Sequence, residues 1–210
     1  MFEFRLYCYI MNMDYYSLLK VFIFGGRRMN SKLRDLVRVS LMAAIIFVAA
    51  YMIHIPTAGG VVHLGDCMVF IAAVVLGKKR GAYASAIGMA LFDILSGYAI
   101  WAPFTFVIKG IMAYIVGAIL EMRKSGGLKV RLYAFLAAGI FMVPAYYLVQ
   151  VLIGALLTGE LGLTAAFIYA LKDVPTNIFQ VVSGIVIALP LLKGLEKTPL
   201  VKSEEVKTKN

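Results

Sequence analysis

The chain has 210 residues, of which 62% are apolar and 15% are charged, and its mean hydropathy is +0.88. Soluble domains contain roughly 45–50% apolar residues, so this composition excludes an ordinary soluble protein and indicates one that lies in lipid. The formal net charge of +10 does not indicate nucleic-acid binding, because the basic residues lie between apolar runs and form no stripe with interleaved aromatic side chains.

Residues 1–28 precede Met29, from which a short polar stretch leads into the first long apolar run. Charged residues interrupt this leader, so it has neither the clean apolar core nor the cleavage site of a signal peptide. We interpret residues 1–28 as an interfacial segment or as an extension upstream of a true start at Met29. Residues 29–192 are expected to form one membrane domain, and residues 193–210 a charged cytoplasmic tail.

Six apolar runs predict an all-α membrane protein with six transmembrane helices, since a helix that crosses the hydrocarbon layer needs about 20 mostly apolar residues. In chain order the predicted spans are 36–53, 66–76, 82–97, 103–120, 132–157 and 174–192. The segment 54–65 is expected to be a loop, since it contains Pro56 and the glycines Gly59 and Gly60. We consider this loop a candidate lid with the two glycines as pivots.

Lysines and arginines are concentrated on one side of these spans. Segments 27–38, 78–80, 121–131 and 193–210 contain five, three, four and five of them, whereas the loops 54–66, 97–103 and 158–173 contain only Lys172. Because cytoplasmic loops of membrane proteins carry the excess of basic residues, we expect both termini in the cytoplasm and the chain in the cell membrane.

Motifs for catalysis or metal binding are not evident. The sequence lacks a G-x-x-x-x-G-K-[ST] phosphate-binding loop, and no nucleophile and base stand at a telling spacing, so we expect no enzyme and no cofactor. Cys8 and Cys67 are far apart and predict neither a disulfide nor a zinc site. His63 and Asp66 offer two metal ligands, which do not fix an ion, so no metal is expected.

Two ionisable residues interrupt the apolar runs. Asp93 and Lys109 each lie about 8–9 Å below the outer ends of their spans at 1.5 Å per residue, so they are placed to pair with each other. Charges inside a span are costly, and the pair serves either to join two helices or to contact a polar ligand as well. On the second interpretation, Lys109→Ala weakens ligand binding more than it weakens folding.

Other polar residues fall at a similar depth: Gln150, with Tyr146 and Tyr147 one turn below it, and Asn177 and Gln180 near the start of the last span. Amides supply donors and acceptors without a charge, and tyrosine rings offer faces on which a planar heterocycle can stack. These residues predict a ligand pocket in the outer half, although each of them also suits helix packing.

Small residues on the first span form a possible docking surface. Ser40 with Ala44, and Ala43 with Ala50, stand four and seven residues apart, on neighbouring faces of one helix. Such faces allow close approach of another transmembrane helix, from a partner or from the same chain.

Four stretches resemble the substrate-binding S components of energy-coupling factor (ECF) vitamin transporters, especially the riboflavin-type branch. They are His63-Leu64-Gly65-Asp66, residues 77–81, Ala90-Leu91-Phe92-Asp93-Ile94-Leu95-Ser96-Gly97-Tyr98 and Ala102-Pro103-Phe104-Thr105-Phe106-Val107-Ile108-Lys109-Gly110. The likeness covers roughly residues 29–192. It implies a six-helix protein that captures a vitamin from outside and delivers it by association with a transmembrane scaffold subunit and two ATPase subunits.

The resemblance also implies docking through small residues on the first span, often as A-x-x-x-A. That strict pattern is absent here, and Ser40-Leu41-Met42-Ala43-Ala44 is the nearest match. Riboflavin, pyridoxine, a thiamine precursor and pantothenate all remain open as ligands. A self-sufficient secondary transporter or channel is the alternative function. The candidate substrate contacts are Asp66, Asp93, Lys109, Tyr146, Tyr147, Gln150 and Asn177.

Overall fold

The computed structural model describes residues 30–57, 60–123, 127–157 and 162–196, and this part of the chain is mostly helical. The helices are α1 (Ser31–Met52), α2 (Gly65–Leu95), α3 (Ala102–Arg123), α4 (Leu128–Leu152), α5 (Leu163–Ala170) and α6 (Val174–Glu196). A π-helical turn, Ile153–Leu157, extends α4, and a 3-10 turn, Leu171–Asp173, joins α5 to α6. The predicted leader, Gly59 and residues 197–210 lie outside the described residues.

Within the described part of the chain, four helical segments are long and apolar enough to cross a membrane: Ser31–Met52, Ala102–Arg123, Leu128–Ala155 and Leu163–Leu195. Their outward surfaces carry large exposed apolar side chains such as Val107, Ile140 and Val186, as expected of helices whose solvent is lipid. The prediction of an all-α membrane protein is therefore confirmed at this level. The predicted second and third spans belong to α2, in which basic residues interrupt the apolar sequence.

Helix α2 is folded back on itself at Gly77. This residue has φ 77° and ψ 177°, a left-handed conformation that a residue with a Cβ adopts only at a cost. A Cβ built on Gly81 would lie 2.8 Å from the Cα of Ala73, and one built on Gly65 would lie 2.6 Å from the Sδ of Met89. Residues 65 and 89 would be about 36 Å apart in a straight helix. The two halves of α2 therefore pack antiparallel, with the turn where the sequence predicted it.

Helix α1 packs against the second half of α2. Asn30 caps its start by accepting a hydrogen bond from the Lys32 backbone N–H at 3.2 Å, and Ala43, Ile46 and Ala50 are its buried residues. A Cβ on Gly88 would lie 2.6 Å from the carbonyl oxygen of Ala43, so the two backbones are nearly in contact. Ala43 and Ala50 thus face the interior of the described structure, and the docking role predicted for them stays a prediction.

The connections differ from the prediction in two places. The expected loop after α1 is an antiparallel hairpin of β1 (His54–Thr57) and β2 (Gly60–His63), in which His54 pairs with His63. The expected loop 158–173 contains α5 and the 3-10 turn. Helix α5 has only eight residues and no side-chain cap, so the apolar sequence of this segment did not indicate where a helix begins or ends.

The interior is filled by large side chains from α2, α3 and α4. The rings of Phe70 and Phe135 stack with their centroids 4.4 Å apart, and Phe92, Met89 and Met112 are fully buried. Helices α2 and α6 meet where a Cβ on Gly184 would lie 3.1 Å from the Cβ of Asp66. This core holds the start of α2 at the centre of the molecule.

The two ends of the bundle differ. At the end where α2 turns, Lys78 bonds Glu121 at 2.7 Å and Arg80 bonds Asp35 at 2.9 Å, with all four side chains partly exposed. We call the opposite end the hairpin end. There β2 contacts α1 and α6, and the rings of His54 and His63 lie against Phe92 near the end of α2. Several buried polar side chains collect at this end, whereas Arg131 is buried in the first turn of α4.

Candidate functional site

An ion pair between Asp66 and Lys109 lies at the centre of the hairpin end. Both side chains are completely buried, and the Lys109 ammonium donates to the Oδ1 of Asp66. The other carboxylate oxygen of Asp66 accepts a hydrogen bond of 3.0 Å from the Nε2 of Gln180. The pair therefore joins α2, α3 and α6, and both oxygens of Asp66 are satisfied.

Lys109 is surrounded by protein on its other sides as well. Its Nζ lies 3.3 Å from the Sδ of Met142 and 5.2 Å from the centre of the Tyr146 ring, a distance at which a cation is attracted to the ring face. Lys109 is thus completely buried among these partners, and its predicted contact with a ligand stays a prediction.

The predicted pairing of Asp93 with Lys109 is wrong. Lys109 pairs with Asp66, whereas the Asp93 carboxylate hydrogen-bonds the Thr105 hydroxyl. Both residues lie within helices, but the direction in which each side chain points depends on the rotation of the helix about its axis, which spacing along a span does not give. Asp66 was predicted at the loop boundary, yet it lies in the first turn of α2 and faces the interior.

Asp93, Thr105 and Tyr146 form a second polar chain. The Tyr146 hydroxyl donates to the Oγ1 of Thr105 at 3.3 Å, and Thr105 in turn bonds Asp93. Asp93 is only 4% exposed, and its Oδ2 has no hydrogen-bond partner among the residues that the structure describes. A buried carboxylate oxygen without a donor is costly, so this atom is the strongest candidate for contact with a ligand.

Gln150 supplies a second acceptor of the same kind. It lies on α4 one helical turn beyond Tyr146, so the two side chains share a face. Gln150 is 9% exposed, and within the described part of the chain its Oε1 also has no partner. Trp101 completes this corner, with its ring centroid 6.4 Å from that of Tyr146.

The remaining predicted contacts are less central. Tyr147 points away from Asp93 and donates to the backbone oxygen of Phe167 at 3.2 Å, which fastens α5 to α4. Asn177 is half-buried on α6, one turn before Gln180 and on the same face. The structure thus brings together Asp66 with Lys109, and Asp93 with Tyr146 through Thr105, while Tyr147 lies apart.

The hairpin is anchored to the same end of the bundle. The His63 ring is buried, accepts a hydrogen bond from the Gly65 backbone N–H at 3.2 Å and lies 4.9 Å from the Phe92 ring. The His54 ring is 5.8 Å from Phe92. Phe92 immediately precedes Asp93, so the hairpin and the candidate site share this contact.

Across residues 30–57, 60–123, 127–157 and 162–196, no group of three or more His, Cys, Asp or Glu side chains is placed to hold a metal ion.

Three members of the site were not predicted: Thr105, Met142 and Trp101. Thr105 stands one turn before Lys109 on the same face of α3, so the spacing of these two residues could have indicated that Thr105 belongs to the site. Nothing in the sequence indicated Met142, because a methionine in an apolar span is typical of packing.

Comparison with known proteins agrees with this architecture. The profile of the family described as "ECF-type riboflavin transporter, S component" matches residues 30–197. An uncharacterised protein of Pyrococcus woesei is 37% identical over 135 residues, which cover 64% of this chain and 82% of that protein. The thiamine precursor transporter HmpT of Lactococcus lactis subsp. cremoris is 24% identical over 172 residues, which cover 80% of this chain and 92% of that protein.

The family match spans nearly all the described residues, and the four membrane-capable helices lie within it. The protein is accordingly a multi-pass protein of the plasma membrane, and vitamin capture for a transporter is the role that its family supports. The chain belongs to the family of S components of ECF-type riboflavin transporters.

Proposed function

We propose that this S component binds riboflavin or a related small heterocycle from outside the cell and delivers it to a scaffold subunit driven by two ATPase subunits. The observation that supports this best is the pair of buried acceptors, Asp93 Oδ2 and Gln150 Oε1, which have no hydrogen-bond partner among the described residues. Asp93 is joined to Tyr146 through Thr105, and Gln150 lies one turn from Tyr146 on α4. A ligand with matching donors would satisfy both atoms. Because one relative is named a thiamine precursor transporter, thiamine precursors stand beside riboflavin as candidate ligands.

The proposed topology has six membrane crossings and both termini in the cytoplasm. The antiparallel halves of α2 supply two crossings, and α1, α3, α4 and α6 supply one each. The basic residues at the turn of α2 then lie on the cytoplasmic side, as the positive-inside rule requires. The hairpin end faces outward in this arrangement, and the hairpin of β1 and β2 is the proposed lid over the site.

The proposed docking surface is narrower than the sequence predicted. Ser40 and Ala44 are exposed on α1, four residues apart and therefore on one face. Leu36 and Val48 extend this face and are 62% and 47% exposed. Small residues between larger ones allow a partner helix to approach closely, and we assign the scaffold subunit to this face.

Two measurements on the purified chain test the proposed function. Native mass spectrometry in detergent, with a panel of riboflavin, thiamine precursors, pyridoxine and pantothenate, is expected to show one bound ligand per chain without ATP. In vesicles, uptake of that ligand is expected only when the scaffold and ATPase subunits are present with ATP. Uptake by the chain alone would show a secondary transporter, and a chain that binds no member of the panel would contradict the capture role.

A further inference from the structure

We propose that the site selects a planar heterocycle that carries a positive charge and an N–H donor edge, with the Asp93 carboxylate as its counter-ion and Gln150 as a second acceptor. This inference rests on the proposed function and specifies the ligand that the same site takes.

The balance of charge at the hairpin end is the first reason. The charged members of the two contact chains are Asp66, Lys109 and Asp93. Lys109 bonds Asp66 and thereby neutralises it, and Gln180 satisfies the remaining oxygen of Asp66. Asp93 bonds the Thr105 hydroxyl and is attracted by Lys109 at longer range, but no salt bridge joins it to a cation within the described part of the chain. A ligand that brings one positive charge balances Asp93, whereas a ligand carboxylate adds a second negative charge.

The kinds of atom left unpaired are the second reason. Two of the buried atoms without a hydrogen-bond partner among the described residues are the Oδ2 of Asp93 and the Oε1 of Gln150, and the side chains that carry them are 4% and 9% exposed. An ionised carboxylate accepts hydrogen bonds and donates none, and an amide oxygen is an acceptor. The complementary ligand edge consists of N–H groups, as in a ring that bears an amine or a protonated nitrogen.

The aromatic side chains at this corner are the third reason. Trp101 and Tyr146 lie with their ring centroids 6.4 Å apart and tilted by 41°. Rings of this kind attract a cationic ligand through their electron-rich faces. The Tyr146 hydroxyl is bonded to Thr105, so the ring is held in place beside the carboxylate that the same threonine contacts.

Matched ligand pairs test the charge and the N–H donor edge. Titration calorimetry on the purified full-length chain uses pyridoxamine against pyridoxine, which differ by an ammonium group in place of a hydroxyl. It also uses thiamine against oxythiamine, in which a ring amine is replaced by an oxo group; both carry the thiazolium charge, so this pair tests the N–H donor edge. Riboflavin and pantothenate complete the panel. We expect the amine member of at least one pair to bind one per chain and at least about tenfold more tightly than its partner, because loss of one charged hydrogen-bond partner has an effect of this size.

Asp93→Asn gives the second readout, because asparagine keeps the size of the side chain and its contact with Thr105. The affinity for the preferred amine ligand is expected to fall roughly thirtyfold or more, whereas the affinity for its partner without the amine falls by a clearly smaller factor, less than about threefold for pyridoxine. Asp35→Asn is the matched control, since it removes the same charge at the opposite end of the bundle, where Asp35 bonds Arg80. It is expected to leave both affinities unchanged.

The outcomes separate the two proposals. Tight binding of riboflavin or pantothenate at one per chain, with no preference for amines, would overturn this inference and leave the capture role intact. If Asp93→Asn lowered the affinity for both members of a pair equally, this would also overturn the inference. The carboxylate would then support the structure of the site and not the charge of the ligand. Failure of every ligand to bind the wild-type chain would overturn the capture role and this inference together.

Discussion

At the scale of single residues, the Asp66–Lys109 pair couples the fold to the site. Both side chains are completely buried, and removing one partner of a buried pair costs about 3–5 kcal/mol because the other charge is left alone. We therefore expect Lys109→Met to lower the thermal stability of the chain in detergent strongly. This reverses the sequence-based expectation that the residue matters more for binding than for folding.

The double variant Asp66→Asn with Lys109→Met tests the cause, because it removes both charges. It is expected to recover at least half of the stability that Lys109→Met loses. Lys79→Met, at an exposed position, is the control and should change the stability little. A Lys109→Met chain as stable as wild type would contradict the structural role.

His63 gives the hairpin a dependence on pH. Burial lowers its pKa from 6.5 to about 4, so the unfolded chain takes up a proton at a higher pH than the folded chain does. The stability due to neutral His63 is fully present above pH 6.5 and is lost as the pH falls towards 4, by up to about 3 kcal/mol. Thermal unfolding from pH 7 to pH 4.5 is expected to show a smaller loss in His63→Gln than in the wild type or in His54→Gln. Equal losses in all three would exclude His63 as the cause.

At the scale of secondary-structure elements, the fold of α2 depends on one glycine. Gly77 has φ 77°, and a residue with a Cβ in this conformation costs roughly 1–2 kcal/mol. Gly77→Ala is expected to lower the unfolding temperature in detergent. Gly194→Ala is the matched control, because Gly194 lies in α6 with no atom within 4 Å of an added Cβ. It should have no effect or stabilise slightly, and equal behaviour of the two variants would contradict the turn.

Helix α5 is fastened to α4 by Tyr147. Its hydroxyl donates to the backbone oxygen of Phe167, and loss of one such bond costs about 0.5–1.5 kcal/mol. Hydrogen exchange followed by mass spectrometry should therefore show about three- to tenfold faster exchange of residues 163–170 in Tyr147→Phe. The neighbouring variant Tyr146→Phe should leave this segment unchanged, because Tyr146 bonds Thr105. Faster exchange of α5 in both variants would point to general loosening of α4.

At the scale of the whole molecule, the proposed topology makes opposite predictions for two surface positions. In a chain with Cys8 and Cys67 replaced, a cysteine at the exposed Ala99 is expected to react with a membrane-impermeant maleimide added to intact cells. A cysteine at Lys79 should react only after the membrane is opened. The chain with both native cysteines replaced and none introduced is the control for background labelling. Reaction of both positions in intact cells would contradict the six crossings.

Hydropathy and spacing predicted the helices of this molecule within a few residues, together with the turn at 77–81, because lipid exposure demands long apolar runs. They did not predict the partner of Lys109, since depth within a span is independent of rotation about the helix axis. The interior position of Ala43 and Ala50 was ambiguous for a related reason, because small residues permit close packing against any helix. Helix α5 lacked the length and cap that distinguish a helix from an apolar loop.

The fold of α2 also has a consequence for how the chain enters the membrane during synthesis. Residues 65–76, the half before Gly77, form only about 18 Å of helix at 1.5 Å per residue, whereas the hydrocarbon layer is about 30 Å thick. This half also carries the buried Asp66, whose charge is neutralised by a lysine that is synthesised 43 residues later. In the proposed topology, the translocon therefore receives a segment that is too short to cross the hydrocarbon layer alone and that carries an unpaired charge. We expect stable insertion of α2 to follow the synthesis of its second half and of α3, so that these elements insert together.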